Sequence, residues 1–191
     1  MRMSVFLPFV LMTLVSPPSG AGQDDAWVVE SRAAAGQLGV ALMGELTRAL
    51  AESPEAAIRV CSQRAGEIAA GVSAATGAEV GRTARRYRNP DNAPTDWQQR
   101  GLDHFAARLA AGEEPSSLEF TETAVVDGRM IRRWMKPIMT APLCLTCHGT
   151  DLSPEVAAVI GERYPQDRAT GFAAGDLRGA FHVSWVEAQP Q

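Results

Sequence analysis

Residues 118–138 read LEFTETAVVDGRMIRRWMKPI. Two extended runs rich in Thr, Val, Ile, Phe and Trp flank Asp127-Gly128, a dipeptide that accepts the positive φ angles of a two-residue hairpin turn. A β-hairpin is therefore predicted. Its second arm does not alternate cleanly, so periodicity leaves open which face meets the core.

On the N-terminal side the period changes from two to 3.6. Ala35, Leu38, Leu42, Leu46 and Ala49 form one stripe of a long helix over residues 25–52. Ser53-Pro54 then suits a cap followed by a first helical proline, and Ala57, Ile58, Cys61, Ala65 and Ile68 share a face of a second helix over 54–76. Cys61 therefore points inward. Gly77 ends that helix, Glu79–Thr83 is extended, and ARRYRNPDNAP is a loop. A third helix is predicted over 95–111, with Trp97, Leu102, Phe105, Ala106 and Leu109 inward. C-terminal to the hairpin, Ser153-Pro154 opens a short helix to Arg163. The tail GDLRGAFHVSWV alternates, with Phe181, Val183 and Trp185 on one face and His182 on the other, which reads as a surface histidine. Helices framing a small antiparallel sheet make the fold class α+β, with no boundary that divides the chain.

The chain has 191 residues, 46% hydrophobic and 21% charged, enough for one domain with a real core. Residues 1–21 combine Arg2, an apolar run from Met3 to Val15, Ser16-Pro17-Pro18 and small residues at Ser19 and Ala21. This is the pattern of a secretory signal peptide, and the run is short of the ~20 residues that span a bilayer. Residues 22–191 are then the mature domain, without a membrane span and located in the periplasm. It keeps 17 basic and 22 acidic residues, a net charge of −5 that argues against nucleic acid.

Directly after the hairpin comes PLCLTCHG, residues 142–149. C-x-x-C-H is the attachment signature of c-type haem: two thiols bond the haem vinyl groups, and the adjacent histidine ligates iron. Two competing readings fit less well. Zinc wants four ligands, and Cys61, His104 and His182 lack knuckle spacing. A thioredoxin-type pair sits between strand and helix in a βαβ unit, whereas this one follows a proline-containing hairpin arm. Export agrees with haem c, which is attached outside the cytoplasm. Cys61, His104, His182, Met130, Met135 and Met139 all remain open as second axial ligand on residue type alone. His104 shares a helix with Asp103 and reads as a surface residue, the methionines read as packing, and Cys61 reads equally as a small buried hydrophobe.

Four ordered blocks, AIRVCSQRAGEIA, VGRTARRYRNPDNAPTDW, MKPIMTAPLCLTCHG and YPQDRATGFAAGDLRGAF, carry a family resemblance over nearly the whole mature chain. It resembles the single-haem c-type proteins with a PAS-like fold, long catalogued as a domain of unknown function, which occur as free periplasmic proteins and as bacterial sensory modules. The resemblance implies one covalent haem c on Cys144 and Cys147, iron ligated by His148, and Cys61 as sixth ligand. His182 departs from the pattern, where the family usually carries a small residue, and stays a rival ligand. Arg82, Arg85, Arg86, Arg88 and Arg178 are available to haem propionates, with Arg82 and Arg178 chosen because each sits at a strand edge near family-like glycines.

His/Cys ligation leaves no open coordination site, so the expectation is a low-potential electron carrier and not an enzyme. Its partner would be a periplasmic redox protein. The alternative is a redox or gas sensor, with a separate signalling partner, in which Cys61 leaves the iron. The chain ends at Gln191 directly after the last strand, without an output domain, which favours the carrier.

Overall fold

The computed structural model describes residues 23–187; the expected signal peptide lies outside them. In chain order the elements are α1 (Gln23–Leu50), α2 (Pro54–Thr76), β1 (Glu79–Thr83), α3 (Asp96–Ala110), β2 (Phe120–Val126), β3 (Arg129–Met139), α4 (Leu145–His148), α5 (Pro154–Arg163) and β4 (Leu177–Val186). The four strands make one antiparallel sheet in the order β1-β4-β3-β2. The α+β expectation holds, down to the long N-terminal helix and the PAS-like sheet.

Local chemistry sets the boundaries. Ser53 Oγ accepts from Ala56 N with Pro54 in the first turn, and Ser153 Oγ accepts from Val156 N ahead of Pro154. At the hairpin, Asp127 (φ 51°) and Gly128 (φ 75°) both turn positive, as the turn requires. α1 begins two residues earlier and ends two earlier than its stripe suggested, within ordinary end variation.

Two cores sandwich the sheet. Val80, Trp134 and Val183 pack under Ala34, Ala35 and Leu38 of α1. On the opposite face Met135 and Ala180 pack under Trp97, Leu102 and Phe105 of α3. This settles the orientation of the uneven arm: β3 buries neighbouring Trp134 and Met135 on opposite faces, so its run need not alternate. A third cluster joins Ile58 of α2 to Val156 and Ile160 of α5, with Cys147 and Tyr164 against it. Each buried apolar side chain of this size contributes about 1.5–3 kcal/mol.

The surface reading of His182 is overturned: it is 7% exposed. Alternation assumed water on one face, but β4 lies between β1 and β3 with helices covering both sides. Gly81 makes the space, since a Cβ there would sit 2.5 Å from His182 Nε2. His104, also read as a surface residue, is half-buried with its ring 5.6 Å from that of Phe120, because β2 runs beneath α3. No helix among the described residues is long and apolar enough to cross a membrane.

Candidate functional site

The Pro142–Cys144 turn and the single turn of α4 carry Cys144, Cys147 and His148 immediately beyond β3. The segment after α5 is clamped beside them, through Gly171 N to Gly149 O at 2.8 Å and Phe172 N to His148 O at 2.9 Å. Its Ala169 carbonyl lies 2.6 Å from His148 Nδ1. A carbonyl only accepts, so Nδ1 carries the proton and Nε2 keeps its lone pair. Burial, with help from the Arg178 and Arg88 cations, pushes the imidazole pKa down to about 3, so the ring is neutral. The Phe172 ring stands edge-on to it at 6.3 Å.

A buried ion pair holds this turn. Arg88 Nε donates to Asp167 Oδ1 at 2.9 Å, and its Nη2 donates to Cys147 O at 2.6 Å and Ala169 O at 3.3 Å. Asp167 Oδ1 also accepts from Ala169 N at 3.1 Å. Both side chains are only about a tenth exposed, where the loss of one partner leaves an uncompensated charge. In the sequence Arg88 is one of several loop arginines with nothing to single it out, and Asp167, Ala169 and Phe172 carry no signal of a site. Three of these lie inside a quoted block, YPQDRATGFAAGDLRGAF, but only folding brings residues 88, 147 and 167 together.

Cys61 projects from α2 toward the same region, half-buried, and α2 contacts α4 directly. Burial pushes its thiol up, while the Arg82 and Arg88 cations pull it down. The Cys147 thiol is likewise raised by burial and lowered by Arg88, and it feels Cys61. All three cysteines are free thiols. They converge from α2 and from the turn at α4.

Arg82 and Arg178 join this cluster. Burial disfavours the Arg82 cation, and Cys61 and Tyr164 oppose that effect. Arg178 is pushed down to about 10 by burial and then by the neighbouring Arg88 and Arg82 cations. Its Nη1 donates to Arg86 O at 3.1 Å, but its buried Nε has no partner among the described residues. Three guanidiniums thus crowd together with Asp167 as the carboxylate that Arg88 already occupies. The arrangement has room, electrostatically, for a further anion.

His182 lies elsewhere. Gly81 pairs with His182 and Arg82 with Phe181, and Phe181 packs into the core beneath α1. Adjacent strand residues point to opposite faces, so the sheet separates His182 from Arg82. The His182 ring instead meets Trp97 of α3 at 6.0 Å. Met135 is buried against α3, and Met130 is 42% exposed near the hairpin tip.

The model of the family described as Tll0287-like matches residues 19–185. The chain belongs to the Tll0287-like family. The crystal structure of the cyanobacterial heme-protein Tll0287 is similar, with a TM-score of 0.65 and 28% identity over 90% of this chain and 100% of that one. No curated protein matches. The resemblance carried by the four sequence blocks is borne out at the level of the family; the candidate site in this chain is the cluster of three thiols, one neutral imidazole and three guanidiniums.

Proposed function

We propose that this Tll0287-like chain is an exported, periplasmic protein carrying one haem c, and that it works as a low-potential electron carrier and not as an enzyme. Cys144 and Cys147 form the thioethers, His148 ligates the iron and Cys61 is the second axial ligand. Bound haem would supply one-electron exchange. The observation that carries the reading is His148: a neutral imidazole, its Nδ1 proton engaged by Ala169 O at 2.6 Å, at the end of a single helical turn that also carries the free thiol of Cys147 and is capped by that of Cys144. That is the preparation an axial histidine needs.

The remaining residues have matching roles. Arg82 and Arg88 lower the cost of a Cys61 thiolate, whose electron donation stabilises ferric iron and lowers the potential. Arg82 and Arg178 take the propionates, which supply the anion that the cluster lacks and a partner for the orphaned Arg178 Nε. A periplasmic redox protein would be the partner.

A denaturing gel stained for haem tests the attachment. The exported wild-type chain is expected to stain and Cys147→Ala to lose the stain; staining of the variant at wild-type intensity would refute the thioether. One observation favours a second reading, a redox or gas sensor with a separate signalling partner. Burial raises the Cys61 thiol, so a neutral, dissociated thiol is accessible to this site. Carbon monoxide binding to the reduced protein, with loss of the thiolate signature, would select the sensor over the carrier.

A further inference from the structure

The chain is acidic overall, with a formal net charge of −4, yet the ground around His148 is basic. Arg86 is exposed and lies 4.1 Å from the centre of the Phe172 ring, and Arg178 lies 5.2 Å from it. Arg86 Nε donates to Arg168 O at 3.3 Å, and the exposed Arg168 guanidinium lies 5.5 Å from the Tyr87 ring. Neither Arg86 nor Arg168 has a carboxylate partner among the described residues, whereas neighbouring Arg85 is paired with Asp103 and Arg88 with Asp167. Asp176, two residues before Arg178, is exposed, and its Oδ2 is engaged by Ala173 N at 2.7 Å.

Arg86 and Arg178 lie against Phe172, which is itself buried and edge-on to His148, and Arg168 lies beside them against Tyr87. Stacking on aromatic rings holds guanidiniums in place without neutralising them, leaving their donors free for carboxylates.

We propose that this surface, Arg86 over the Phe172 ring and Arg168 beside it over Tyr87, is the docking face for a protein partner presenting a cluster of carboxylates. The assignment rests on the electron-carrier reading. It gives the partner an entry beside His148, and local attraction that overrides the repulsion of an acidic chain.

The test is stopped-flow oxidation of the reduced holoprotein by ferricyanide, an anion, and by tris(phenanthroline)cobalt(III), a cation, at rising ionic strength. A rate governed by the whole chain would rise with salt for ferricyanide. A rate governed by this face falls with salt. Arg86→Glu/Arg168→Glu is expected to slow ferricyanide by about tenfold, to invert its salt dependence and to speed the cationic oxidant. Arg86→Gln/Arg168→Gln gives a smaller change of the same sign and guards against misfolding of the reversed variant. Ferricyanide rates that rise with salt in the wild type, or that ignore both double variants, would overturn the proposal. Binding to phosphatidylglycerol vesicles that Arg86→Glu/Arg168→Glu abolishes, with unchanged ferricyanide kinetics, would also overturn it in favour of a membrane contact. A haem-stained gel and carbon monoxide binding to the reduced protein, both run beforehand, separate these results from failure of the carrier reading: a chain without haem reacts with neither oxidant, and carbon monoxide binding with loss of the thiolate signature marks a sensor.

Discussion

Arg88 and His148 share one acceptor, the carbonyl oxygen of Ala169, at 3.3 Å from Arg88 Nη2 and 2.6 Å from His148 Nδ1. Asp167 closes the ring by accepting from both Arg88 and Ala169 N. The pair therefore holds the orientation of the imidazole and also competes for the electron density of its acceptor.

Replacing Arg88 by Gln removes that competitor and a nearby cation. The His148 N–H bond to Ala169 strengthens, the ring becomes more electron-rich, and the ferric state gains. With Cys61 still bound as thiolate, the reduction potential of Arg88→Gln is expected to fall, by about 59 mV for each tenfold change in the redox equilibrium, whereas loss of the thiolate that Arg88 supports would raise it. Arg88→Lys keeps the charge without the planar fork and should fall less. A redox titration decides, with the visible spectrum reporting that haem is still ligated; a potential unchanged in both variants would remove Arg88 from any tuning role.

Cys61 and His182 are the rival second ligands, and they lie on opposite sides of the sheet, Cys61 on α2 and the His182 ring against Trp97 of α3. Cys61→Ala should retain covalent haem but change the ferric absorption and EPR signals, because the sixth position opens. His182→Gln should leave both spectra as in the wild type. The reverse pattern would exchange their roles.

His182 also makes stability depend on pH. Burial pushes its folded-state pKa down to about 4 from an ordinary 6.5, so between these values the unfolded chain binds a proton that the folded chain refuses. Stability is fully present above about pH 6.5 and is lost as pH falls toward 4, by up to roughly 3 kcal/mol. Urea unfolding at pH 7 and pH 4.5 should show a smaller loss for His182→Gln than for the wild type. Equal losses would mean that other groups carry the acid sensitivity.

Local signals were enough for much of this molecule. Ser53-Pro54, Ser153-Pro154 and Asp127-Gly128 act through bonds and φ angles within a few residues, so helices, hairpin and the α+β class were legible in the chain. The Cys144, Cys147 and His148 pentad is equally local, because all three donors lie within one turn. Burial on both sides of a strand is not a local property: His182 was misread as a surface residue because what covers β4 comes from α3, some eighty residues earlier in the chain. For the same reason the Arg88–Asp167 pair, spanning 79 residues, and the approach of Cys61 to the α4 turn emerge only when α2, the loop after β1 and the segment after α5 pack together. Sequence spacing encodes contacts along one element; contacts between elements depend on which faces the core brings into register.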